Sequence, residues 1–236
     1  MERLDKLISA MGLASRREVK LLVRRGEICV EGRVCRDAGE KYEEGLSAVF
    51  CGREIILKSR FYYMMNKPAG YLSATQDRGD KTVVDLLPPQ LKAQGLFPAG
   101  RLDRDSHGLL ILTNDGDFAH RIMSPRHRVD KLYYVRYEGV LNKNAPGLFA
   151  DGLTIDGGEC CRPARLEPCA QGEAYVTVQE GKYHQVKRMI QAVGGRVNYL
   201  KRLAIGPVTL DTGLEEGCTR ELTEAELKAL DCAENL

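Results

Sequence analysis

Gly100-Arg101-Leu102-Asp103-Arg104-Asp105-Ser106-His107-Gly108 runs directly into Leu109-Leu110-Ile111-Leu112. Four consecutive aliphatic residues predict a strand buried on both faces. The polar block before it, fenced by glycines, therefore sits at a strand mouth or in a cleft. It reads in two ways. Either a structural Arg–Asp pair closes a turn, or an ionised Asp103 is held in place for chemistry.

Working outward, Phe61-Tyr62-Tyr63-Met64-Met65-Asn66 has strand composition and is ended by Lys67-Pro68-Ala69-Gly70. Val83 to Leu87 is a short helix, and Phe97-Pro98-Ala99 leads into the central block. Downstream, the Asn114-Asp115-Gly116 turn precedes a helix through Phe118, Ile122 and Met123 that stops at Ser124-Pro125. Lys131 to Tyr137 reads as a strand that is both aromatic and basic. Gly157, Gly158 and Pro163 punctuate hairpins, and Ala174 to Val178 is a further strand. Glu180 to Met189 turns into a helix reaching Val193, then Val197–Leu203 and Val208–Leu210 close the sheet. Leu222 to Leu227 is an acidic helix with Thr223 as N-cap. Strands outnumber helices without a regular βαβ alternation, so the fold class is α+β, a mainly antiparallel mixed sheet with flanking helices.

Upstream, the chain has a different character. Leu4, Leu7, Ile8 and Met11 recur at helical spacing. Ser15-Arg16-Arg17-Glu18 carries the capping-box pattern of a second helix. That helix buries Val19, Leu22 and Val23, turns Arg16, Arg17, Lys20 and Arg24 outward, and stops at Gly26. Glu27–Val30 and Arg33-Val34 flank a tight Glu31-Gly32 turn. Two short helices and a small strand pair, with Arg3-Leu4-Asp5-Lys6-Leu7, Ser15-Arg16-Arg17 and Gly26 to Gly32, resemble the S4 domain, an RNA-binding module. On that resemblance the four cations contact phosphate and position RNA rather than read its bases. A solvated charged face is the other reading. Lys58-Ser59-Arg60 is a polar joint, dividing the chain into an RNA-binding unit, 1–58, and a larger unit, 59–236.

The 236 residues suit one large domain with a small appendage, and an apolar share of 43% supports a conventional core. No segment approaches the roughly 18 unbroken apolar residues of a membrane helix. Met1-Glu2-Arg3-Leu4-Asp5 does not read as a signal peptide, so a cytoplasmic protein without membrane contact is expected. The eight cysteines lack the two-residue spacer of a zinc knuckle and read as small apolar residues. The net charge of +2 is unevenly spread. Residues 1–36 hold nine Lys/Arg against five Asp/Glu, 180–202 six against one, and 211–236 two against eight. Local basic zones on a nearly neutral chain suggest a phosphate-facing surface and an opposite acidic one.

No phosphate loop, dinucleotide fingerprint or zinc-protease motif is present, and the four histidines are scattered. What remains is Asp103 and a second polar cluster, Lys182 to Arg188, at a strand-to-helix turn. An aspartate kept ionised in a cleft needs a cationic partner, which that cluster can supply. A paired carboxylate can act as nucleophile towards an electron-poor carbon, and a nearby tyrosine can stack on a flat ring. Read this way, the residues describe an RNA-facing catalyst without specifying its reaction.

Several motifs in order identify a resemblance running nearly end to end. They are Asn66-Lys67-Pro68, Gly100-Arg101-Leu102-Asp103, Leu112-Thr113-Asn114-Asp115-Gly116, Ser124-Pro125-Arg126-His127, Lys131-Leu132-Tyr133, and Glu180-Gly181-Lys182-Tyr183-His184-Gln185-Val186-Lys187-Arg188-Met189. With the S4-like head, they resemble the bacterial ribosomal RNA pseudouridine synthases of the small-subunit, RsuA-like type. The resemblance implies that uracil is detached from ribose, turned and rejoined through C5, without metal or other cofactor. It places the nucleophile on Asp103, the stacking tyrosine on Tyr133 (beside a second aromatic, Tyr134) and the aspartate's basic partner on Lys187. Val186 would line the base pocket, Arg101 would hold the nucleotide out of its helix, and Arg188 would join the substrate contacts. Asp105 is expected in a structural salt bridge with Arg104 or Arg101. The implied partner is ribosomal RNA or an assembling subunit, approached by a monomer. The same reaction on large-subunit RNA, or a non-catalytic assembly factor on the same fold, stands as the alternative.

Overall fold

The computed structural model describes residues 1–124 and 127–232. Pro125 and Arg126, part of the expected helix stop and of the Ser124–His127 motif, lie outside the described residues. The central strand is His107–Thr113, buried at six of its seven positions. Along one edge it pairs antiparallel with Tyr62–Lys67. Along the other, Phe97–Ala99 covers Ile111 to Thr113, while Gly195–Ile205 pairs in parallel with His107 and Gly108. The sheet therefore splits on that edge, and the Gly100–Ser106 loop leaves through the split. Gly108 makes this junction close: a Cβ there would lie 2.2 Å from the Arg202 carbonyl oxygen, and its φ is +100°.

The large sheet has nine strands. Its main path runs Arg165–Ala170, Glu173–Val178, Lys131–Gly139, Gly195–Ile205, His107–Thr113, Tyr62–Lys67 and Thr219–Glu221. Pairings are antiparallel except the one between Gly195–Ile205 and the central strand. Leu110 and Leu112 join the core that includes the helix Gln185–Ala192. Leu109 and Ile111 point the other way, to a core shared with helices Gly116–Met123 and Glu224–Cys232. Each such side chain removed from water contributes about 1.5–3 kcal/mol, so the strand anchors both layers. Thr223 caps the acidic helix as expected, its hydroxyl accepting from the Glu226 amide at 3.2 Å.

In the head, helices Leu4–Ala10 and Arg16–Arg25 form where their apolar spacing places them. The Ser15 hydroxyl accepts from the Glu18 amide while Glu18 accepts from the Ser15 amide at 2.7 Å, completing the capping box. The sheet is larger than the expected strand pair. It has four strands, because Ser47–Phe50 and Arg53–Ile56 form a second hairpin. Its Cys51-Gly52 turn takes positive φ at both residues, as Glu31-Gly32 does, but lacks the usual Asn-Gly or Asp-Gly signal. The buried residues of one apolar cluster fall within 4–57 and those of the two others from Phe61 onward, although partly buried Ala10 and Met11 of the head also pack against one of the latter. The cysteines depart from expectation. Only Cys35 and Cys161 are buried, while Cys51, Cys160, Cys169, Cys218 and Cys232 are exposed, because they fall in turns, strand edges and a helix end.

Candidate active site

The Gly100–Ser106 loop is held by its backbone. The Ser73 hydroxyl donates to the Leu102 carbonyl and accepts from its amide, at 2.9 and 3.0 Å. The Gly70 amide donates to the Arg104 carbonyl at 2.7 Å. Beneath the loop, the Lys67 ammonium donates to the carbonyls of Pro68, Asp103, Arg104 and Ser106 at 2.8–3.3 Å. Lys67 was expected in the turn after its strand. It is instead the last strand residue, with no exposed surface. Burial pushes its pKa down to about 8, against the opposing charges of Asp105 and Asp103.

So fixed, Asp103 keeps its carboxylate about a quarter exposed and 3.2 Å from the Lys187 ammonium. Lys187 comes from the first turn of Gln185–Ala192, and His184, just before that helix, puts Nε2 3.6 Å from Asp103. The turn leading into the helix is clamped. Glu180 accepts from the Gln185 side chain at 2.8 Å, and Gln185 accepts from the Lys182 amide at 3.0 Å.

Asp103, Glu180, Lys182, His184 and Gln185 line a cleft of about 730 Å³ whose apolar side includes Leu102, Tyr133, Val178, Val186 and Leu200, with Lys187 behind Asp103 rather than in the lining. Tyr133 sits beside a β-bulge, the kind of irregularity that re-aims a side chain. It is buried, and Arg202 Nη1 lies 3.4 Å from its hydroxyl. Tyr134 belongs to the opposite sheet face, where its ring meets those of Tyr175 and Tyr199. A smaller hollow of about 420 Å³ lies at the far end of the Tyr133 strand, and no carboxylate or imidazole lines it. The larger cleft is therefore the candidate site.

The remaining expected site residues divide. Arg101 is exposed on the cleft wall and makes no ion pair among the described residues. Val186 is buried in the cleft lining. Asp105 does not pair with Arg104 or Arg101: it meets Lys187 at 2.5 Å, and Arg104 turns away to Asp80 at 3.0 Å. Burial pushes the Asp105 carboxyl up, but the hydrogen bond and charge of Lys187 outweigh this and hold it below the ordinary carboxylate value. Arg188 is a correction. Its guanidinium is occupied by Asp156, Glu159 and the Tyr183 carbonyl, so it braces the turn rather than facing the cleft. Arg16, Arg17, Lys20 and Arg24 are all exposed on the head's second helix.

Three buried cations escaped the sequence reading: Lys67, Lys131 and Arg202. None has a carboxylate within 4 Å among the described residues. Lys131 donates to the Val129 carbonyl, and burial followed by the Arg202 charge pushes its pKa down to about 8.

A family model described as RNA pseudouridylate synthase matches residues 61–192, the span holding Asp103, Tyr133 and Lys187, and an S4 domain model matches residues 2–46. The chain belongs to the RNA pseudouridylate synthase family. Among relatives of this synthase, the RNA pseudouridine synthase YtzG of Bacillus subtilis is 44% identical over 234 residues, covering 97% of this chain and 98% of its own. Ribosomal small subunit pseudouridine synthase A of Vibrio cholerae is 40% identical over 230 residues, covering 97% and 99%. A crystal structure of a pseudouridylate synthase matches with a TM-score of 0.69 at 34% identity, covering 98% of this chain and 100% of that one. This chain is thus an enzyme of the same family, with an S4 domain at its N-terminus.

Proposed function

We propose that this synthase converts one uridine of small-subunit (16S) ribosomal RNA to pseudouridine, with Asp103 as nucleophile. The observation that carries the reading is Asp103, paired with Lys187 at 3.2 Å, in a cleft that Tyr133 and Val186 also line. The Lys187 ammonium sets an opposite charge beside the carboxylate. Asp103 attacks ribose C1′ of an extruded uridine, and the N1–C1′ bond breaks, leaving the electron pair on uracil. Tyr133 and Val186 confine the freed base while it turns. C5 then bonds to C1′, Asp103 leaves, C5 loses its proton and N1 gains one. The rearrangement neither adds nor removes atoms and calls for no cofactor.

Arg101 faces the nucleotide backbone from the cleft wall. Arg16, Arg17, Lys20 and Arg24, on a unit of residues 1–58, hold phosphates of a neighbouring RNA helix, while residues 59–236 perform the isomerisation as a monomer in the cytoplasm. The small-subunit target is supported by the relative named for that subunit, similar over 97% of this chain.

The test uses unmodified small- and large-subunit ribosomal RNA, each alone and in assembly particles. Pseudouridine is mapped by carbodiimide adducts and reverse-transcription stops. One new stop in small-subunit RNA is expected, and Asp103→Asn should remove it without weakening binding. A stop confined to large-subunit RNA would redirect the substrate. Tight binding with no stop would make the chain a non-catalytic assembly factor.

A further inference from the structure

Tyr183 is the most solvent-open ring at the cleft, 75% exposed. A single exposed tyrosine is ordinary. Its mounting is not. The ring stacks on the His184 imidazole, with centroids 3.9 Å apart and planes 18° from parallel. His184 takes left-handed backbone angles, φ +50° and ψ +31°, a conformation uncommon outside glycine. The turn is secured on both sides: Arg188 holds the Tyr183 carbonyl at 3.0 Å, and the Gln185 amide donates to the Lys182 carbonyl at 3.2 Å. The inner ring of the stack reaches to 3.6 Å from Asp103, and the outer ring faces solvent.

We propose that the Tyr183–His184 stack is a docking platform for the base next to the target uridine. This rests on the reading that the cleft isomerises uridine in RNA. Extruding a uridine unstacks its neighbours. A rigid aromatic face beside the reacting carboxylate gives one of those neighbours a replacement stacking partner, and stacking of this kind tolerates any base. Arg101 lines the same cleft with a guanidinium that makes no ion pair among the described residues, suited to the phosphate that joins the two nucleotides. Tyr183 thereby selects single-stranded or extrudable substrate without touching the uracil. It acts on binding and register, not on the bond-breaking step.

The test is tritium release from [5-³H]uridine-labelled small-subunit RNA transcript with the full chain. Tyr183→Ala should raise KM about tenfold with little change in kcat, while Tyr183→Phe and Tyr183→Trp stay near wild type. Thermal melts of the three variants should coincide with wild type, because the side chain is exposed. Once the modified position is mapped, an abasic nucleotide is placed on each side of it in turn. The Tyr183→Ala penalty should vanish on one of these substrates and persist on the other. Unchanged KM in Tyr183→Ala, a Phe variant as poor as Ala, or a penalty that survives both abasic substrates overturns the platform. Absence of release by the wild-type chain strikes instead at the isomerase reading itself.

Discussion

The head and the cleft use the same residue types in opposite surroundings. Arg16, Arg17, Lys20 and Arg24 stand in solvent on one helix face and form no ion pair among the described residues. Lys67, Lys131 and Arg202 are buried, Lys67 beneath the Gly100–Ser106 loop, and Lys187 is closed against two carboxylates. Water and salt screen the first group within about 8 Å at physiological ionic strength, so its effect on RNA is long-lived only where phosphates come close. The second group lies where screening is weak and each charge must be matched by dipoles or an opposite charge. On the proposed reading, exposed cations serve affinity and enclosed ones fix geometry. The head can lose a charge gradually; the cleft cannot.

Lys187→Met should give the largest effect on this contrast. It removes the ammonium that Asp103 and Asp105 share, and kcat for tritium release should fall about 10²–10³-fold. Equal loss from Asp105→Asn would mean that both carboxylates, not the Asp103 pair, carry the site. Next, one substitution can be compared in both settings. Lys67→Met strips four carbonyls of their donor and should cost about 2–4 kcal/mol in urea unfolding, whereas Lys20→Met should stay within about 0.5 kcal/mol. Similar costs at the two positions would erase the distinction.

Changing Arg16, Arg17, Lys20 and Arg24 together to Gln should flatten the dependence of log binding constant on log salt by about 2–3, with the melting temperature unchanged. The acidic helix supplies an intermediate case. The Arg220 hydrogen bond is the main cause that lowers the Glu226 pKa from 4.5 to about 2. A depressed carboxyl pKa contributes stability above pH 4.5 that is lost as pH falls towards 2. Both partners are only partly buried, so the contribution is about 1 kcal/mol, and Glu226→Gln should abolish that part of the acid dependence. An unchanged pH profile would show the pair to be fully screened.

Much of the molecule was legible in the residues. Leu109 to Leu112 announced the central strand, and Ser15 with Glu18 announced the capped helix, because both signals are local. Asp103 and Lys187, 84 positions apart, met as the charge argument required. The buried lysines were not legible. Lys67 follows Asn66 and precedes Pro68, which reads as a turn, and only the converging carbonyls of a loop 36 residues onward make its burial tolerable. The partner of Asp105 was missed for a related reason: sequence neighbours were weighed, but Arg104 is drawn off by Asp80. Arg188 read as a substrate contact because its acceptors, Asp156 and Glu159, arrive from a hairpin about 30 residues earlier.

The most direct test of the division between holding and reacting is single-turnover tritium release alongside filter binding, run on Asp103→Asn and on the four-charge head variant. The account predicts that Asp103→Asn binds RNA normally and releases nothing. The head variant should bind weakly yet release tritium at the wild-type rate once saturated. Loss of binding in Asp103→Asn, or a slow rate in the saturated head variant, would contradict it.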